Sequence, residues 1–109
     1  MEEDWADDRV ILEHAILNVK PEEMTAYEMA LGEALPLISA TPGFIKFDVR
    51  PCLERAGCYL LLVEWEKLED HTIGFRQSIR YLKWKELLHP FYVPFPEVLH
   101  FGQAVVSTD

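Results

Sequence analysis

The chain has 109 residues, half of them apolar, with ten lysines and arginines against nineteen aspartates and glutamates and a net charge of −9. That length suits one domain with its own core, and so acidic a chain offers no clustered cations for nucleic acid or for an anionic membrane surface. No segment approaches the roughly 18 apolar residues of a membrane span, and the start lacks the basic and apolar run of a signal peptide, so a cytoplasmic protein is expected.

Residues 1–9, with Glu2, Glu3, Asp4, Asp7 and Asp8, read as a disordered acidic leader, and residues 10–109 as a single domain. From about Val10 to Val19 the chain alternates as a strand. Ile11, Ala15, Leu17 and Val19 share one face, and Val10, Leu12, His14, Ile16 and Asn18 the other. Both faces are apolar, which predicts cover on two sides. Pro21, Glu22 and Glu23 start a helix, because proline suits the first turn and carboxylates suit the positive end of the dipole. Met24, Tyr27, Leu31, Ala34, Leu35 and Ile38 form its apolar stripe, and Pro36 four residues after Gly32 predicts a kink rather than a break.

Thr41-Pro42-Gly43-Phe44 stops that helix and turns the chain. Phe44 to about Cys52 and Gly57 to about Glu66 then read as an antiparallel hairpin, its second strand apolar enough to be central. Lys46, Asp48 and Arg50 are expected to pair across it with Glu64 and Glu66. Cys52 and Cys58 flank the hairpin loop and read as unbridged small hydrophobes. Leu68, Thr72, Phe75 and Ile79 line one side of a second helical region; Ser78 can cap its continuation, where Trp84, Leu88 and Phe91 carry the apolar face onward. Pro90, Pro94 and Pro96 hold an extended connection to a last strand from Val98 to Val106, weakened by Gly102.

The order strand, helix, strand, strand, helix, strand predicts an α+β, ferredoxin-like (split βαβ) fold: a four-stranded antiparallel sheet with helices on one face. The other sheet face, also apolar, is expected to pack against a second copy in a homodimer.

Thr41-Pro42-Gly43-Phe44, Val63-Glu64-Trp65, Phe75-Arg76-Gln77-Ser78 and the stretch from Trp84 to Phe91, in that order, resemble the antibiotic biosynthesis monooxygenase superfamily. The resemblance implies a dimeric α/β barrel. It also implies one of several functions: cofactor-independent oxygenation of polyphenols and quinols, heme degradation, or a role still unassigned. Where heme-degrading relatives carry asparagine, tryptophan and an iron-binding histidine, ungapped counting puts His14, Phe75 and Trp84, which disfavours heme.

His14, a histidine inside an apolar strand face, can take a proton from a phenolic substrate if it faces the helices, and sits in the dimer interface if it does not. Arg80 stands between Arg76 and Trp84 at helical spacing, which suits an anion-steadying guanidinium beside an indole, or a surface ion pair. Trp65 and Trp84, with Phe75 and Tyr27, are expected to wall an apolar pocket for a small aromatic molecule. There is no phosphate loop, nucleophile elbow or carboxylate-rich metal motif. The reading is therefore a cofactor-free monooxygenase of a small aromatic or quinol-type substrate, with His14 as base and Arg80 as charge stabiliser. A non-enzymatic ligand-binding or stress-associated barrel is the alternative.

Overall fold

The computed structural model describes residues 10–108, so the expected leader lies outside the described residues. Strand β1 (Ile11–Asn18) leads through a 3-10 turn at Pro21–Glu23 into helix α1 (Met24–Ser39), followed by β2 (Phe44–Pro51) and β3 (Cys58–Trp65). A π-helical turn at Asp70–Phe75, helix α2 (Ile79–Leu88), a 3-10 turn at His89–Phe91 and β4 (Leu99–Phe101) complete the order. The sheet runs β2-β3-β1-β4 with every neighbour antiparallel, which is the expected split βαβ topology.

Period-two alternation divides the sheet cleanly. Ala15, Leu17, Tyr59, Leu61, Val63 and Trp65 are buried under the helices with Tyr27, Ala34 and Ile38 of α1 and Trp84 and Leu88 of α2. Leu12, His14, Leu60 and Leu62 are half-buried on the opposite face, where Ile16, Leu99 and Phe101 are exposed. Helix α1 runs through Pro36 without a break. Of its expected stripe, Leu35 turns outward.

Two glycines hold the turns. Gly43 has φ +91° and Gly57 φ +85°, and a Cβ would overlap the Asp70 carboxylate at the first and the Val19 carbonyl at the second. Both cysteines are free. The charged residues of β2 pair along their own strand rather than across the hairpin: Asp48 meets Arg50 at 3.4 Å and Lys46 at 3.8 Å. Lys46 does stand opposite Glu64 in the register, whereas Asp48 faces Leu62 and Arg50 faces Leu60, which leaves those two without the expected cross-strand partner.

Two further expectations are corrected. The proposed stripe from Leu68 to Ile79 does not form, because the π-helical turn adds a residue to the turn and the chain leaves helical geometry at Ser78 (φ −91°, ψ 160°). Leu68 and Ile79 are exposed, and His71 joins Phe75 inside. The last strand is three residues long and ends before Gly102.

Candidate active site

A cavity of about 370 Å³ lies between the helices and the sheet. Ala15, Leu17 and Leu61 form its floor, Phe75, Tyr81 and Trp84 its aromatic wall, and the segment after α2 closes it with Tyr92, Phe95 and Val98. That segment is fastened to β1: Val93 N–H donates to the Asn18 carbonyl at 2.9 Å, and Val19 bridges Tyr92. Arg76 lines the cavity and is exposed, so the cavity reaches the surface there.

Against this apolar background stands one carboxylate, Glu13, which is 5% exposed. Trp65 donates its indole N–H to Glu13 Oε1 at 2.9 Å, and His71 Nε2 lies 3.5 Å from the same oxygen. The Trp65 ring stacks on His71, with centroids 5.2 Å apart and planes 14° from parallel, so one indole positions both groups. His71 Nδ1 in turn meets His100 Nε2 at 2.8 Å, with the donor set by the tautomers.

Burial raises the Glu13 carboxyl to about 7, opposed by the Trp65 hydrogen bond and by the Arg76 charge. Burial likewise lowers His71 to about 3, helped by Arg76 and His100. At neutral pH the pair is thus a neutral imidazole beside a carboxyl balanced between acid and base, rather than an ion pair. A carboxylate tuned to the working pH is the property that general base catalysis requires.

Phe75 and Trp84 line the cavity as expected, with Phe75 edge-on to Trp84 at 5.4 Å. Trp65 and Tyr27 stand behind the lining. Trp65 holds Glu13, and Tyr27, fully buried, shares a 2.9 Å hydrogen bond with the hydroxyl of the lining Tyr92. His14 points to the opposite sheet face, where its ring meets Phe101 edge-on at 5.6 Å, away from the cavity. Arg80 donates to the Leu37 carbonyl at 3.2 Å and to the Thr41 hydroxyl at 3.3 Å, tying α2 to the end of α1, and does not line the cavity. Arg76 does.

Glu13 shares strand parity with Ala15 and Leu17, the signal that places it inside; its charge argued for the outside. His71 carried no such signal, since its direction depends on the π-helical turn. Among the described residues no group of three or more His, Cys, Asp or Glu side chains is arranged to hold a metal ion.

Residues 3–87 match the family profile described as "Antibiotic biosynthesis monooxygenase". The chain belongs to that family. It is also 49% identical over 92 residues to the uncharacterized protein YczJ of Bacillus subtilis, a match covering 84% of this chain and 97% of YczJ. An antibiotic biosynthesis monooxygenase family structure from Bordetella bronchiseptica superposes with a TM-score of 0.83 at 28% identity, covering 90% of this chain and 99% of that one. The ActVA-Orf6 monooxygenase of Streptomyces coelicolor, solved in complex with nanaomycin D, superposes with a TM-score of 0.77 at 15% identity, covering 94% of each chain; at that identity the likeness is one of fold. No helix among the described residues of this family member is long and apolar enough to cross a membrane.

Proposed function

We propose that this protein is a cytoplasmic monooxygenase that oxidises a small aromatic or quinol-type molecule in the cavity without a bound cofactor, with Glu13 as the base. The observation that carries this reading is one buried carboxyl, held near neutrality, in a cavity walled by apolar and aromatic side chains with Arg76 at its edge. The family and the fold shared with a ligand-bound monooxygenase support it.

In the proposed reaction Glu13 removes a proton from an activated ring CH2 or its enol. Glu13 passes that proton on, the resulting carbanion adds dioxygen to give a peroxide anion, and one proton returned through Glu13 converts it to the hydroperoxide. The hydroperoxide then loses water and leaves a carbonyl, so that CH2 and O2 become C=O and H2O. Arg76 at the cavity edge steadies the substrate anion, the part expected of Arg80 from the sequence, and Trp84 and Phe75 flank the ring and exclude water. His14 lies too far around the sheet to act as base.

The functional unit in this reading is a homodimer. Ile16, Leu99 and Phe101 leave an apolar surface on the sheet, the kind of face that a second copy covers. Oxygen uptake with a panel of anthrones and naphthoquinols tests the activity. Turnover abolished by Glu13→Gln is the expected result; saturable binding with no oxygen consumed would replace the enzyme with a ligand-binding barrel.

A further inference from the structure

Glu13 is in contact with His71, and His71 with His100, in a line leading away from the cavity. Glu13 and His71 line the cavity; His100 does not, and it is half-buried on β4, the edge strand of the sheet. The pairing of β1 with β4 sets His100 directly opposite Glu13 and on the same sheet face, which brings its Nε2 to 2.8 Å from His71 Nδ1. Both ring nitrogens of the deeply buried His71 therefore face a titratable partner, and the more distant partner is the more accessible one.

We propose that His71 and His100 form a proton path joining Glu13 to solvent at the β4 edge, one that serves turnover when substrate fills the cavity. This rests on Glu13 being the base of the proposed oxygenation. A substrate held against Glu13 blocks proton exchange through the cavity, and the back route avoids it. His100 touches no substrate and is a positioning residue acting through Glu13.

The path balances without forming an imidazolium at His71. The protonated Glu13 carboxyl gives its proton to His71 Nε2 as His71 Nδ1–H gives its own to His100 Nε2; His100 then releases its Nδ1 proton to water. His71 ends in the other neutral tautomer. The same steps run in reverse return one proton to Glu13, as protonation of the peroxide requires, and restore both tautomers. The 3.5 Å contact between Glu13 and His71 is the longer step; catalytic contacts of this kind often tighten when substrate binds. The depression of His71 by burial and by Arg76 accords with a ring that stays neutral. The groups facing the path are the Trp65 indole from β3, Arg76 after the π-helical turn, and Tyr92 after α2, whose hydroxyl responds to the Glu13 charge.

The test is His100→Gln, which keeps a hydrogen-bonding side chain but cannot relay a proton, with His100→Asn as a second variant if the first folds poorly. In oxygen-uptake assays kcat is expected to fall about tenfold with KM unchanged, the solvent deuterium isotope effect to rise, and added imidazole to restore part of the rate. Independently of turnover, infrared spectroscopy follows exchange of the protonated Glu13 carboxyl into D2O at pH 5.5 with anthraquinone, an aromatic with no CH2 to oxidise, saturating the cavity, the band identified by its loss in Glu13→Gln. Exchange slowed about fivefold or more in His100→Gln is expected. Exchange at the wild-type rate overturns the path whatever the kinetics, and slowed exchange with unaltered kcat overturns its part in turnover. Slowed exchange in a protein that oxidises nothing in the panel supports the path and removes the oxygenase reading instead.

Discussion

The indole N–H of Trp65 is 2.9 Å from Glu13 Oε1 and joins the end of β3 to the middle of β1 across the hidden side of the cavity. Because that donor favours the ionised carboxyl, it partly offsets the burial that raises Glu13 toward neutrality.

Activity is expected to require Glu13 ionised, so kcat/KM rises with pH through about 7 and then levels. Trp65→Phe removes the donor and moves that rise to higher pH, by up to about one unit. Glu13→Gln lowers the rate about 100-fold or more and abolishes the rise. A pH series of initial oxygen-uptake rates for the three proteins checks this.

Folding stability should show an unusual cancellation. Native Glu13 holds its proton between pH 4.5 and about 7, where the unfolded chain has lost it, so this group lowers stability as pH rises through that window. Native His71 stays neutral between about 3 and 6.5, where the unfolded chain is protonated, so this group lowers stability as pH falls. The two slopes oppose each other where the windows overlap. Glu13→Gln is expected to expose the His71 slope, losing about 1 kcal/mol per pH unit below 6.5, and His71→Asn the opposite slope above 4.5. Urea denaturation at successive pH values measures both; a wild type as steep as the variants contradicts the pairing.

Arg80 holds α2 to the Leu37 carbonyl, one of the last carbonyls of α1 that lack a helical partner. Arg80→Ala is expected to cost about 1–3 kcal/mol of stability. Activity per folded molecule should change far less than in Arg76→Ala. Thermal melts together with kinetics separate the two arginines.

Gly43→Ala places a side chain in a left-handed conformation and against Asp70, whose carboxylate accepts the Lys67 backbone N–H at 3.0 Å. A loss of about 2 kcal/mol or more is expected, visible as a lower melting temperature. Because Asp70 opens the π-helical turn, reduced activity should accompany it.

On the opposite face, Ile16→Glu puts a charge into the apolar surface without touching the cavity lining. Sedimentation velocity at micromolar concentration is expected to show a dimer for the wild type and a monomer for the variant. A wild-type monomer removes the dimer from the proposed function.

The elements and their order were legible because they rest on local rules. Pro42 and Gly43 must end a helix, β1 and β3 alternate, and Ser78 does cap α2, its hydroxyl accepting the Tyr81 N–H at 3.3 Å. The same alternation placed His14 and Ala15 on opposite faces, and applied to Glu13 it points inward as well. A buried carboxylate runs against the burial preference of its type, and only its partners make the position tenable.

What the sequence by itself determined is the split βαβ fold, the two apolar sheet faces, and Phe75 and Trp84 as inward aromatics. What only the tertiary structure decided is which charged groups meet. His71 turns inward through the extra residue of the π-helical turn, Arg76 rather than Arg80 reaches the cavity because the helix breaks at Ser78, and His100 finds its place through the register of β4 on β1. Periodicity reports on neighbours a few residues apart, whereas the ionisation of Glu13 is set by burial, by Trp65 from β3 and by Arg76 just after the π-helical turn, all distant in the chain.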